Sequence, residues 1–259
     1  MRNQITRISR RLTTLLRPVW CWGMVPAANL IVMLTFLVSC SGVRAADGTQ
    51  ALPPIECPLS KAGIDKTKLK PFEEVADYIK FLERSDRAEW QKPKAVVEAL
   101  EFKGTETVVD LGCGSGYFTF RLSKAVPQGK VIAIDNQPEM VRHIHRKVLT
   151  GEWPNIRAQV GKSDDPGLPS DADCVFVCDV LLHVREKQEW LKTLHSEMQR
   201  GAKLVLIDFR KGELPEGPPE AIKVHKQEIL RLCKEAGFVL KQDKPGLLPY
   251  QEFLVFLKP

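Results

Sequence analysis

The sequence predicts an α/β domain: a doubly wound, mostly parallel seven-stranded sheet that ends in an antiparallel hairpin. Three observations predict it. Strand-like and helix-like segments alternate regularly from residue 107 to residue 236. The strand-like segments are nearly continuous apolar runs, as in parallel sheets covered on both faces. The last two, FVLKQDK (238–244) and EFLVFLK (252–258), are joined by a short Pro/Gly loop with no room for a helix, which makes them antiparallel neighbours.

The elements follow in order. Residues 46–70 are rich in Pro, Lys and small residues and read as a linker before a domain at 71–259. In residues 72–84, Phe72, Val75, Tyr78, Ile79 and Leu82 recur at helical spacing. Pro93 suits the first turn of a helix that carries Val96, Val97 and Leu100. The strands are then TVVDL (107–111), KVIAID (130–135), RAQV (157–160), DCVFVCDV (173–180) and AKLVLIDF (202–209). Helices at 117–125, 138–149, 186–199 and 225–236 connect or follow them, the last ending at Gly237 as a C-cap glycine does.

The first strand runs into VVDLGCGSGYF (108–118), where Gly112, Gly114 and Gly116 fall at alternate positions. In an open parallel sheet, ligands bind beyond the carboxyl ends of the strands. Glycines there remove every Cβ, so backbone N–H groups approach a ligand closely. Asp110 precedes the glycines; a carboxylate there repels a pyrophosphate and suits a cationic amine. Asp135 ends the second strand, where an acid accepts hydrogen bonds from ribose hydroxyls. A nucleoside with a positively charged far end meets both demands, and S-adenosylmethionine (SAM) is such a molecule. A dinucleotide fold would want G-x-G-x-x-G, but residue 117 is tyrosine, so the third glycine falls at the wrong spacing.

Residues 87–259 resemble a class I SAM-dependent methyltransferase. VVDLGCGSGYFTFRL is similar to the first motif of that superfamily, and VIAIDNQPEMV to its second. RAEWQKPKAVVEAL, KSDDPGLP, CDVLLHV and IDFRKGELPEGPP resemble an uncharacterised bacterial and archaeal group related to the ubiquinone/menaquinone C-methyltransferases. The resemblance implies a Rossmann-like class I fold with SAM as cofactor. It implies that Gly112, Gly114 and Gly116 line the methionine part, with Asp110 near its amine. It implies that Asp135 binds the ribose, with Asn136 and Met140 beside the adenosine, and that Ser163 and Asp164 lie near the adenine amine. Asp179 would face the methionine end and the acceptor. Leu182 stands where members of the group often carry a tyrosine.

Methyl transfer is an in-line displacement that needs alignment and sometimes a base. His183 is the best-placed base, with a helix-capping or packing role as its alternative. Asp179 either orients the acceptor or binds the cofactor, the second being favoured. Arg87, Trp90 and Gln91 read as a lid or as ordinary packing. His143, His145 and His195 read as surface residues and His225 as a helix-start residue. Five cysteines after the leader, at irregular spacing, suit buried thiols better than disulfides, and no Cys/His spacing suggests a metal.

Residues 1–45 hold six arginines and no other charge, with the apolar run LIVMLTFLV (30–38). That is the layout of a signal peptide or membrane anchor. LVSC, ending at Cys40, resembles a lipobox, whose cysteine would be lipidated; VRA, before Ala46, resembles a signal-peptidase site. Both sites stay open. The expected location is membrane-associated on the extracytoplasmic side, against a cytoplasmic alternative, because SAM is made in the cytoplasm. Without the leader, 32 basic residues face 32 acidic ones. The basic balance of the whole chain therefore gives no reason to expect a nucleic-acid partner. The expected activity is methyl transfer to a small-molecule or lipid-soluble acceptor. The alternative is a non-catalytic SAM-binding or scaffold protein at the membrane. Neither the acceptor nor the oligomeric state can be read from the sequence.

Overall fold

The structure, a computed structural model, describes residues 56–70 and 72–259. The leader and Cys40 lie outside the described residues. A seven-stranded sheet is built from β1 (Thr107–Leu111), β2 (Lys130–Asp135), β3 (Ile156–Val160), β4 (Cys174–Cys178), β5 (Lys203–Phe209), β6 (Val239–Asp243) and β7 (Gln251–Leu257). Its order is β3-β2-β1-β4-β5-β7-β6. The first five strands pair in parallel; β7 pairs antiparallel with both β5 and β6. The C-terminal hairpin thus joins the sheet through its second strand, and β6 forms the edge.

Successive strand residues point to opposite faces. Val108, Val131, Cys174, Phe176, Val205 and Phe253 face one core, which is closed by α4 (Pro93–Ala99), α5 (Thr119–Ala125) and α6 (Pro138–Thr150). Val109, Val175, Val177, Leu204 and Leu254 face the other, closed by α7 (Lys187–Glu197) and α8 (Lys226–Glu235). Burial on both faces is what the apolar strand runs encode. The chain winds outward from β1 through β2 to β3, then returns past β1 to β4 and β5. Its direction therefore reverses between β1 and β4, and a crevice opens at their carboxyl ends.

Part of the segment read as a linker is packed. The short helix α1 (Pro58–Lys61) lies against α6 and β3, with Leu59 buried. Cys113, Cys174 and Cys233 are buried and free, whereas Cys178 is half-exposed. His195 is not an outer-face residue: its ring packs edge-on against Phe238, with centroids 4.9 Å apart. Among the described residues no helix is long and apolar enough to cross a membrane, and no His/Cys/Asp/Glu cluster could hold a metal.

The helix α2 (Phe72–Leu82) crosses above the sheet ends and sets Val75 and Ile79 on Met140 of α6. Just beyond it, Glu83 faces His143 at 3.7 Å and accepts from Lys147 Nζ at 2.8 Å. His143 is therefore half-buried against a carboxylate rather than free at the surface. These partners, His143 first, hold the Glu83 carboxyl at about 2, below its usual 4.5. A carboxyl depressed in the folded state stabilises the fold above its unfolded pKa and loses that contribution as pH falls toward the folded value. Glu83→Gln should cost about 1 kcal/mol at pH 7, the site being partly exposed. The deficit should narrow as pH falls from about 4.5 toward 2. Urea denaturation of both proteins at pH 7 and pH 3.5 checks this, and a deficit of equal size at both would refute it.

Candidate active site

The crevice is a cavity of about 1190 Å³ at the ends of β1, β2 and β4. Its floor is the turn after β1. Gly112 N and Cys113 N both donate to Ile134 O, at 2.8 and 3.0 Å, which ties the turn to the end of β2. Gly112 has φ +76°, and a Cβ added there would lie 2.2 Å from Val180 Cγ2. Gly114 N donates to Asp135 Oδ2 at 2.8 Å. Gly116 departs from the expectation for it. It is not on the cavity wall, and a Cβ there would strike Phe120 and Ile144. Its missing Cβ lets Phe120 and Ile144 close on the turn.

The other residues singled out in the sequence, Asp110, Asp135, Asn136, Met140, Ser163, Asp164, Asp179 and His183, all line the cavity. Asp110 is buried and accepts from Thr119 Oγ1 at 2.6 Å. Burial pushes its carboxyl up to about 7, which a cation placed against it would reverse. Asp135 accepts Gly114 N on one oxygen and Gln137 N on the other, so each oxygen keeps a lone pair for a hydroxyl. Burial raises its pKa despite those donors. Asn136 Nδ2 donates to Ser163 Oγ at 3.0 Å and links two of the cavity-lining loops.

Asp179 follows β4 with φ +60°, a left-handed conformation uncommon outside glycine but more accessible to Asp than to most side chains. Its carboxylate accepts from Gln91 Nε2 at 3.0 Å and from Gln251 Nε2 at 2.6 Å, and the Arg87 guanidinium lies 4.0 Å away. Gln91, fully buried on α3 (Arg87–Gln91), accepts in turn from Arg87 Nε. Arg87 lies over the Tyr117 ring at 4.1 Å and donates to Leu82 O at 2.6 Å. Arg87 and Gln91 therefore brace Asp179, and Arg87 and Trp90 line the cavity. Burial raises the Asp179 pKa, with the Arg87 charge opposing it.

His183 ends the 3-10 turn Leu181–His183 and stands exposed at the cavity rim. Beneath it lies Asp208, which the sequence reading missed. Its oxygens accept Leu182 N and Phe209 N, both at 3.1 Å. Burial, with the Asp179 charge, pushes it up to about 8. The available signal was an acid ending an apolar strand, the same placement as Asp135. The far wall is aromatic: Tyr78, Phe81, Trp90 and Phe209, with the Trp90 ring 5.5 Å from Phe209. Arg84 lies over Phe81 at 4.8 Å and pairs with Glu216 on the loop after β5.

Glycine turn, acidic strand ends and reversed strand order together are the architecture of the class I SAM-dependent methyltransferase fold. Residues 108–204 match a family model described as a methyltransferase domain. A SAM-dependent methyltransferase structure from Aquifex aeolicus is 28% identical with TM-score 0.66, covering 71% of this chain and 98% of that one. An uncharacterized 37.1 kDa protein in transposon TN4556 of Streptomyces fradiae is 33% identical over 188 residues, 65% of this chain and 53% of that protein. Trans-aconitate 2-methyltransferase from Azoarcus sp. is 33% identical over 131 residues, covering 50% and 47% of the two chains. A tRNA U34 carboxymethyltransferase from Cellvibrio japonicus is 31% identical over 139 residues, covering 51% and 42%. The chain spans about half the length of the curated relatives it matches.

The Gly112 geometry generates a test. Gly112→Ala adds left-handed strain and a clash with Val180, together about 2–4 kcal/mol. Adding Val180→Ala should recover the clash part and leave the strain. Chemical denaturation of the single and double variants reads the split; a fully stable Gly112→Ala protein would refute the geometry.

Proposed function

We propose that the protein transfers a methyl group from SAM to a small organic acceptor. The observation that carries this is one continuous cavity with two unlike ends. One end has a Cβ-free turn and acids at strand ends; the other has an aromatic wall. The first end fits a cationic nucleoside. Gly112 and Gly114 allow close backbone approach, and Asp110 offers its carboxylate to an amine. Asp135 accepts the ribose hydroxyls, and Asn136 and Met140 flank the adenosine. Ser163 and Asp164 stand ready for the adenine amine, and Asp179 is held toward the methionine end. Bound there, SAM supplies a methyl group on a sulfonium. His183, at the rim, takes the proton released from the acceptor, and the buried Asp208 fixes the turn that presents it. The relatives' names differ in acceptor. The neutral charge balance of residues 46–259 and the aromatic wall favour a small molecule over a nucleic acid.

Conversion of SAM to S-adenosylhomocysteine across a metabolite panel tests the activity; absence of turnover with every class of acceptor would favour a binding protein. Asp135→Ala should weaken SAM binding by about 1.5–3 kcal/mol, the range for lost hydrogen bonds to a charged group. Unchanged affinity in calorimetry would remove the ribose role. His183→Ala should lower turnover by about 10²–10⁴-fold with SAM affinity intact, whereas normal turnover would leave His183 a structural residue.

For location, the leader pattern supports export and tethering through lipidated Cys40 on the extracytoplasmic side. Wild-type protein should fractionate with membranes and be cut by protease added to spheroplasts, and Cys40→Ala should lose the membrane fraction. Protease-resistant wild-type protein in the cytosol with Met1 intact would restore a cytoplasmic enzyme.

A further inference from the structure

A second, shallower groove of about 620 Å³ opens beside the cavity. The two share Leu182, His183, Val184 and Arg185. The groove's opposite wall is the segment 221–228, which leads into α8. Its charge is one-sided: Arg185, Lys187 and Lys223 are cations, His183 and His225 stand beside them, and Glu228 is the one carboxylate. Glu228 is already held by Arg231, at 2.7 and 2.9 Å. Among the described residues no carboxylate forms an ion pair with Arg185, Lys187 or Lys223.

Lys223 is the unusual member. It is only 7% exposed, and its Nζ donates to Gly212 O at 2.9 Å. Lys187 Nζ donates to Val184 O at 2.6 Å, and its charge reaches the buried Asp208 without an ion-pair contact. A carbonyl accepts a hydrogen bond but does not neutralise a charge. Lysine is almost never fully buried unless paired, because desolvating an ammonium is costly. Arg185 is exposed at the junction with the cavity, and among the described residues its side chain has no hydrogen-bond partner.

We propose that this groove binds an anionic group of the methyl acceptor, a carboxylate or a phosphate monoester, between Arg185 and Lys223. The proposal rests on the methyltransferase reading and adds the acceptor's chemical class. Groove and cavity join at His183, so one molecule spans both. Its apolar body lies against Trp90 and Phe209, its reacting atom beside Asp179 and His183, and its charged end on the basic groove. A purely structural role for Lys223, tying the loop at Gly212 to the following turn, needs a donor but no free charge. A neutral ligand of the same shape separates the two.

The test uses the full chain with S-adenosylhomocysteine bound, titrated calorimetrically with 2-naphthoate, 2-naphthyl phosphate and the neutral 2-naphthamide. At least one anionic probe should bind about tenfold or more tighter than the amide, as expected of charge-assisted contacts. The stronger of the two anions identifies the group. Arg185→Ala and Lys223→Met should each remove most of that preference while S-adenosylhomocysteine affinity stays unchanged. Arg185 is exposed, so its variant decides the matter if Lys223→Met fails to fold. Amide binding as tight as both anions, no probe binding at millimolar concentration, or a preference that survives Arg185→Ala would overturn the proposal and leave the methyltransferase reading standing. Failure of S-adenosylhomocysteine itself to bind would overturn both.

Discussion

A single backbone carbonyl sets the floor of the cavity. Ile134 O receives the N–H groups of both Gly112 and Cys113, and this fork turns the chain sharply out of β1. With the turn so placed, Gly114 N meets the carboxylate of Asp135 at the end of the neighbouring strand. Two strand ends, a turn and an acid thereby become one rigid piece. Val180 then fills the space a side chain at residue 112 would need, so the end of β4 is locked to the same piece. Everything above the floor is positioned from there.

The walls depend on a different interaction. Asp179 holds a left-handed backbone that costs about 1–2 kcal/mol. Amides from Gln91 and Gln251 and the nearby Arg87 guanidinium offset that cost. These groups come from a helix before the sheet, the end of β4 and the start of β7. The network is complete only when the last strand has inserted beside β5. Gln251 Oε1 has no hydrogen-bond partner among the described residues, so the network is tied through its amide nitrogen alone at that end.

How much of this was legible in the sequence follows from what each feature depends on. Strands and helices were legible because apolar runs and 3.6-residue spacing are local patterns, and the boundaries found lie within a residue or two of those expected. That β7, not β6, would pair with β5 was not legible, since a hairpin can join a sheet by either strand. The glycine turn was recognisable as a unit, yet which side chain closes on each glycine was not: Val180 packs against Gly112, and Phe120 and Ile144 against Gly116. Gln251 and Gln91 were not paired with Asp179 by any pattern, because their approach exists only in three dimensions. No local pattern marks Lys223; its burial follows from the packing that sets its Nζ on Gly212 O.

The segment that carries Tyr78 and Phe81 is fixed in two unlike ways. Val75 and Ile79 sit on Met140 through apolar contact, while the far end is pinned by Glu83 on one bank and Arg84 on the other. Partly exposed charge pairs are worth at most about 1 kcal/mol each and weaken with salt, whereas apolar contact does not. The Arg87 bond to Leu82 O joins the charged set, so salt acts on the far end of the segment and leaves its seat on Met140 alone.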